Sequence, residues 1–165
     1  GTLEINSSRK LRASDDSNIT VFYKSVESIE VQGAATLHTD NVFSGDYLRL
    51  TMSGAGEVDM DVDLGRLELD ISGAGAVELK GNAEEQDISM SGAGGYDAEE
   101  LISRRCRISI SGVGGAQVYV TEDLDATVSG IGGVSYLGNP SNVRSDISGL
   151  GSISEGDGGD SNPNL

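Results

Sequence analysis

The chain has 165 residues, which suits one domain or one elongated repeat array with a real core. Eleven lysines and arginines against 27 aspartates and glutamates give a formal charge of −16, so phosphate backbones are repelled and nucleic-acid binding is excluded. No apolar run approaches the ~18 residues of a membrane-spanning helix, and one cysteine with one histidine excludes an internal disulfide and the common zinc sites.

Residues 1–28 form the first predicted region. Two short runs there, at 2–5 and 19–23, have the composition of strands. Because a stacked β-structure has open ends that template further pairing, we expect these runs to form an N-terminal cap over the first coil of the region that begins at residue 29.

Residues 29–155 carry an internal repeat. The tetrapeptide Ser-Gly-apolar-Gly recurs at spacings of 19, 19, 20, 18 and 19 residues, at 53–56, 72–75, 91–94, 111–114, 129–132 and 148–151. A degenerate copy at 32–35 precedes the first, which gives about seven repeats. A regular period of this length predicts a solenoid rather than one irregular globule.

The apolar positions of the repeat alternate with polar ones, which is the period of a β-strand. The residue before each serine and the residue two places earlier are predicted to face inward, as is the second residue after the tetrapeptide. The sequence therefore predicts an all-β fold, a single-stranded parallel β-helix (β-solenoid) of about seven coils with a ~19-residue repeat. Residues 98–105 also have helical propensity, so a short helical turn there is the alternative.

The glycines of the tetrapeptides are predicted to be structural corner residues, where φ is positive or adjacent backbones approach closely. Twelve glycines belong to this group: Gly54, Gly56, Gly73, Gly75, Gly92, Gly94, Gly112, Gly114, Gly130, Gly132, Gly149 and Gly151.

Acidic residues share one outward column of the predicted stack. Asp59, Glu78 and Asp97 occupy equivalent positions of consecutive coils, with Asp61 and Glu99 two residues further on. A solvated acidic face is the simplest interpretation; a Ca²⁺ site would relieve the repulsion with oxygen ligands, although no other cofactor is predicted. The same carboxylates could serve a carbohydrate-active β-helical enzyme, but the short corners leave little cleft, and we predict no catalytic residues.

The remaining reactive side chains receive structural interpretations. His38 falls in the column beside Asp59 and is predicted to be an exposed side chain rather than a general base. Cys106 shares a strand face with Ile108 and is predicted to be a small buried hydrophobe. The cluster at 104–107 contains three arginines, which we expect to offset Glu99 and Glu100. Residues 156–165 are predicted to form a flexible acidic tail.

The repeated Ser-Gly-Ala-Gly copies, the entry Val-Glu-Ser-Ile-Glu-Val-Gln-Gly-Ala at 26–34, and the segments 132–140 and 148–151 resemble the DUF2807 family of putative auto-transporter adhesins with a head GIN domain. The resemblance implies an exported protein of the periplasm, outer membrane or cell surface, with a β-helical body and no established catalytic activity. The expected function is a non-enzymatic module that presents ladder faces to a surface protein or glycan. Homo-oligomerisation is compatible with this, and a membrane link would require an anchor outside this sequence.

Overall fold

The computed structural model describes residue 3 and residues 19–156. The predicted tail from 157 onward and, apart from residue 3, the predicted strand at 2–5 lie outside the described residues. The described part contains ten β-strands and no helix: β1 (Ser28–Val31), β2 (Ala34–His38), β3 (Phe43–Met52), β4 (Ala55–Ile71), β5 (Ala74–Met90), β6 (Ala93–Ile110), β7 (Val113–Val128), β8 (Ile131–Leu137), β9 (Asn142–Ile147) and β10 (Leu150–Glu155). Nothing in this part of the chain is a helix long and apolar enough to cross a membrane.

All of the strand pairs are parallel, and each strand pairs with the segment one repeat further along the chain. Ala55 lies beside Ala74, which lies beside Ala93, and Val113 and Ile131 continue the series. This repeat-to-repeat register is the arrangement of a β-solenoid, and the predicted fold of about seven coils with ~19-residue spacing is confirmed. Long strands such as β4 and β5 turn around the axis without interrupting the ladder, because short glycine corners bend them.

The core consists of the inward columns predicted from the repeat. Leu50, Leu69, Ile88, Ile108 and Ala126 are all buried, and so is the residue directly before each tetrapeptide, the degenerate copy included, from Val31 to Val128. The last coil departs from the pattern: Ile147 is 46% exposed, whereas Val128 beside it is 0% exposed. No described residue stacks beyond β9, so an inward position there remains open to solvent.

The observed strands decide two local predictions, the helical turn at 98–105 and the strand at 19–23. Residues 98–105 belong to β6 and are not helical, because the strands on both sides impose their pairing on this segment; the extra residue of this repeat is accommodated by register shifts against β5 and β7. The strand predicted at 19–23 is wrong. This segment contains no strand and contributes instead through Tyr23, whose ring lies 5.3 Å from that of Phe43, while Val26 just beyond it packs against the core.

Candidate functional site

The candidate site lies on the outer face of the segments that come after the tetrapeptides. The register places Asp59 beside Glu78 and Glu78 beside Asp97, as the sequence pattern suggested. Gln117 and Ser135 continue this column toward the C-terminal end. The column therefore changes along the axis from three carboxylates to uncharged amide and hydroxyl groups.

Two basic side chains lie close to carboxylates in the acidic part of the column. The His38 Nδ1 atom lies 3.2 Å from Oδ2 of Asp59, and the Lys80 Nζ atom lies 2.8 Å from Oε1 of Glu78. The hydrogen bond to Glu78 raises the pKa of Lys80 above its ordinary value, with the charge of that carboxylate adding to the effect. Sequence reasoning missed Lys80, although its position beside Asp61 follows from the same 19-residue alignment.

The second acidic row does not continue into β6. Asp61 lies beside Lys80, but the register between β5 and β6 shifts after Glu78, so Glu99 has no equivalent place in that row. The Glu99 backbone N–H instead donates to Oδ1 of Asp97 over 3.2 Å. In residues 19–156, no group of three or more His, Cys, Asp or Glu side chains is placed to share one metal ion, and calcium binding stays a prediction of the sequence.

A shallow groove of about 560 Å³ runs along the solenoid axis beside this column. Its floor is formed by small residues of successive coils, above all Gly95, Gly115 and Gly133. Its acidic end is lined by glutamates and an aspartate, and its other end by uncharged polar groups: Glu57, Glu78 and Asp97 at the first, and Gln117, Ser135, Ser152 and Ser154 at the second. The groove crosses the strands, so an elongated ligand in it would touch one coil after another.

The glycines of this face belong to two different environments. A Cβ added at any of the twelve tetrapeptide glycines would overlap a backbone oxygen of the preceding coil, whereas one added at Gly115 would stand 3.6 Å from the nearest backbone oxygen, in ordinary contact. Of those twelve, only Gly132 has a positive φ, so close approach of the coils, and not backbone conformation, requires glycine at the others. The glycines of the groove floor at Gly95 and Gly115 are not required by the fold in this way.

Most of the arginines that the structure describes lie on the opposite segments of the coils and pair with acidic residues of neighbouring coils. Arg66 contacts Glu85 and Asp87 at 3.3 and 3.2 Å, and Arg105 also binds Glu85. Arg104 lies 2.8 Å from Glu122. The expectation that the arginine cluster offsets Glu99 and Glu100 is therefore wrong, because side chains of parallel strands meet their neighbours in the stack before their neighbours in sequence.

Cys106 is buried next to the only hydrogen-bonded polar side-chain pair within the described core. The Tyr96 hydroxyl donates to Oε1 of Gln86 over 2.7 Å, and Gln86 lies in register with Cys106. Burial raises the pKa of the Cys106 thiol to about 12 and raises the pKa of Tyr96 well above its ordinary value. A thiol that stays protonated inside the core is not a nucleophile, in agreement with its predicted structural role.

These features define a class of protein: a parallel β-solenoid with a rigid ladder face and an axial groove, built from coils that differ little from one another. Residues 1–140 match the family described as putative auto-transporter adhesin, head GIN domain, also called DUF2807, and the chain belongs to this family.

A solved structure supports the same assignment. A putative adhesin from Bacteroides fragilis is similar, with a TM-score of 0.76 and 29% sequence identity over 78% of this chain. The match spans 60% of the Bacteroides chain. No curated protein matches this sequence.

Proposed function

We propose that the protein is a non-enzymatic adhesin module of the cell surface and that its groove binds an extended, uncharged glycan. The observation that carries the proposal is the groove itself, which crosses successive coils and ends among amide and hydroxyl side chains. Its family and its Bacteroides relative are both described as adhesins, which supports an exported, adhesive role.

The spacing and chemistry of the groove suit a sugar polymer. Neighbouring coils lie ~4.8 Å apart, a distance comparable to the length of one sugar unit in an extended chain, so equivalent groups would recur at each unit. Gln117, Ser135 and Ser154 offer donors and acceptors for hydroxyl groups. The flat floor at Gly115 and Gly133 leaves room for a ring to approach the backbone.

The charges of the protein favour a neutral glycan over an anionic one. The protein carries a net charge of −16, and its groove contains three carboxylates at one end. Arg66 and Arg104 lie on the opposite segments, where each is paired with acidic side chains. Lys80 is already paired with Glu78, so an anionic polysaccharide would meet net repulsion, and the proposed ligand is neutral.

The carboxylates of the acidic column lack the setting of a glycosidase. The general acid of a glycosidase must stay protonated near neutral pH. Burial or a neighbouring negative charge favours the protonated form of a carboxyl group, whereas a neighbouring cation disfavours it. Glu78 is instead 44% exposed and bound to Lys80. Asp59 is 42% exposed and lies beside His38. These contacts support a binding role.

The test is a binding screen of the full chain against neutral β-glucans, mannans and galactans, with polygalacturonate as the anionic comparison. Gly115→Leu fills the groove at a position where a Cβ is tolerated. Ser109→Leu adds the same side chain to an exposed outward position of β6 outside the groove and serves as the matched control. Binding of a neutral glycan that is lost only in Gly115→Leu is expected. Equal binding by both variants, preference for polygalacturonate, or release of new reducing ends would refute the proposal.

A further inference from the structure

The outer edge of β9 is an unpaired strand edge in the part of the chain that the structure describes. The inner edge of β9 pairs with β7 from Asp123 to Val128, and no described strand lies on its other side. Val143 and Ile147 point toward the interior of the stack yet are 42% and 46% exposed, whereas their partners in β7, Leu124 and Val128, are 2% and 0% exposed. This end therefore combines open backbone groups with an uncovered apolar row.

The direction of the backbone groups follows from the pairing with β7. The Ser148 N–H donates to the Val128 carbonyl over 3.0 Å, so even-numbered residues of this strand direct their backbone groups to β7. The alternation along a strand then directs the N–H and C=O groups of Val143, Ser145 and Ile147 to the outer edge. Three donors and three acceptors are available there.

We propose that this edge pairs with the same edge of a second copy of the chain, antiparallel and centred on Ser145, to form a two-fold symmetric dimer. With that centre, Ser145 lies opposite Ser145 of the second copy, and Val143 lies opposite Ile147. These are hydrogen-bonded pairs, and the inward side chains of Val143 and Ile147 would extend the apolar core across the junction.

Charge complementarity favours this register. The same centre places Arg144 opposite Asp146 of the second copy, and by symmetry this pair occurs twice. It is a non-hydrogen-bonded pair, the type in which opposed side chains lie closest. Neither side chain forms an ion pair with another residue in the described ranges, so both are available.

The alternative occupant, the N-terminal end of another copy, is disfavoured. If β1 of a second copy continued the parallel stack beyond β9, Asp146 would lie beside Glu30 of that copy, because Glu30, Thr51 and Asp70 occupy the same column as Asp146. Two like charges would then be opposed. The apolar residues of the first coil are also less open, since Val26 packs on the core and Val31 is 8% exposed, compared with 46% for Ile147.

The proposed dimer does not depend on the glycan proposal, but it would strengthen binding to a polymer. Joining two solenoids end to end doubles the number of grooves on one particle, and a long glycan held at one groove is then presented to the second at high effective concentration. The contact involves one coil from each copy and is smaller than a standard protein interface, so association should depend on concentration.

Sedimentation equilibrium of the full chain at about 0.15 M salt, where screening lengths are about 8 Å, tests the proposal. The mass is expected to rise from 17.1 kDa at low concentration toward twice that value and then to stop. Arg144→Asp and Asp146→Arg each oppose like charges and should stay monomeric when alone. Their equimolar mixture restores two opposite-charge pairs and should form heterodimers.

Lys24→Asp is the matched control for Arg144→Asp because it makes the same change of net charge at an exposed position near the other end of the solenoid. It should dimerise like the original chain. Thermal unfolding of each variant checks that the charge reversals leave the fold intact. A mass that stays at 17.1 kDa at every concentration, association that survives in either single reversal, a mixture that remains monomeric, or growth beyond the dimer would each overturn the proposal.

Discussion

Adjacent glycines in β7 should respond in opposite ways to the same substitution. A Cβ at Gly114 would overlap the Gly94 carbonyl oxygen at little more than half of the ordinary 3.4 Å contact distance, whereas a Cβ at Gly115 meets only the Gly133 oxygen at 3.6 Å. To accept Gly114→Ala, the two coils must separate locally by about 1.5 Å, a third of their ~4.8 Å spacing.

A separation of that size breaks the two or three nearest backbone hydrogen bonds between the coils. At about 1 kcal/mol net for each bond, with some loss of packing beneath them, Gly114→Ala should destabilise the fold by about 2 to 4 kcal/mol. Gly115→Ala relieves the entropic cost of glycine in a strand and should be neutral or stabilising by up to about 1 kcal/mol.

Urea unfolding followed by circular dichroism measures both effects, with the midpoints compared at unchanged slope. The two variants have the same composition, so they differ only in which coil surface the methyl group meets. Equal midpoints for Gly114→Ala and Gly115→Ala would refute the assignment of the tetrapeptide glycines to close approach between coils. A lower midpoint for Gly115→Ala than for Gly114→Ala would do so even more strongly.

Two further predictions concern the buried polar groups of the core. Tyr96→Phe removes the donor to Gln86, whose Nε2 atom already lacks a partner, so we expect the free energy of unfolding in urea to fall by about 1 to 3 kcal/mol. Adding Gln86→Leu to the same chain should restore most of this loss, because no unpaired polar group then remains buried. A double variant that recovers no stability would contradict this prediction. The raised pKa of Cys106 means that its contribution to stability is complete below the ordinary thiol value of 9.0 and is lost as the pH rises toward about 12. Between these pH values, the free energy of unfolding should therefore fall more steeply with pH for the original chain than for Cys106→Ala. Equal pH dependence in the two chains would show that ionisation of the thiol is not linked to unfolding.

The repeat makes most of the fold predictable. The 19-residue alignment identifies the inward columns, and the same alignment brings Asp59, Glu78 and Asp97 together, because a parallel stack places equivalent residues side by side. A chain whose long-range contacts follow one fixed period carries its tertiary register in its sequence. The acidic column is therefore visible in the sequence alone.

Features that depend on the whole cross-section of a coil are not visible in the sequence. The bulges in β6 remove Glu99 from its expected row, and nothing in a linear alignment says where an extra residue is absorbed. Arg66 and Arg104 pair with acidic residues of adjacent coils, which proximity along the chain does not indicate. The strand predicted at 19–23 is wrong because this segment lies outside the repeat, where local composition is the only guide.

The groove whose floor consists of small residues is the proposed binding surface. Its most direct test is amide chemical-shift mapping of the isotopically labelled full chain during titration with the neutral oligosaccharide that binds best in the screen. The largest shifts are expected at Gly95, Gly115 and Gly133, with weaker shifts at Gln117 and none on the arginine-bearing segments. Shifts centred on the arginine-bearing segments, or saturation without any change at the groove glycines, would contradict this claim.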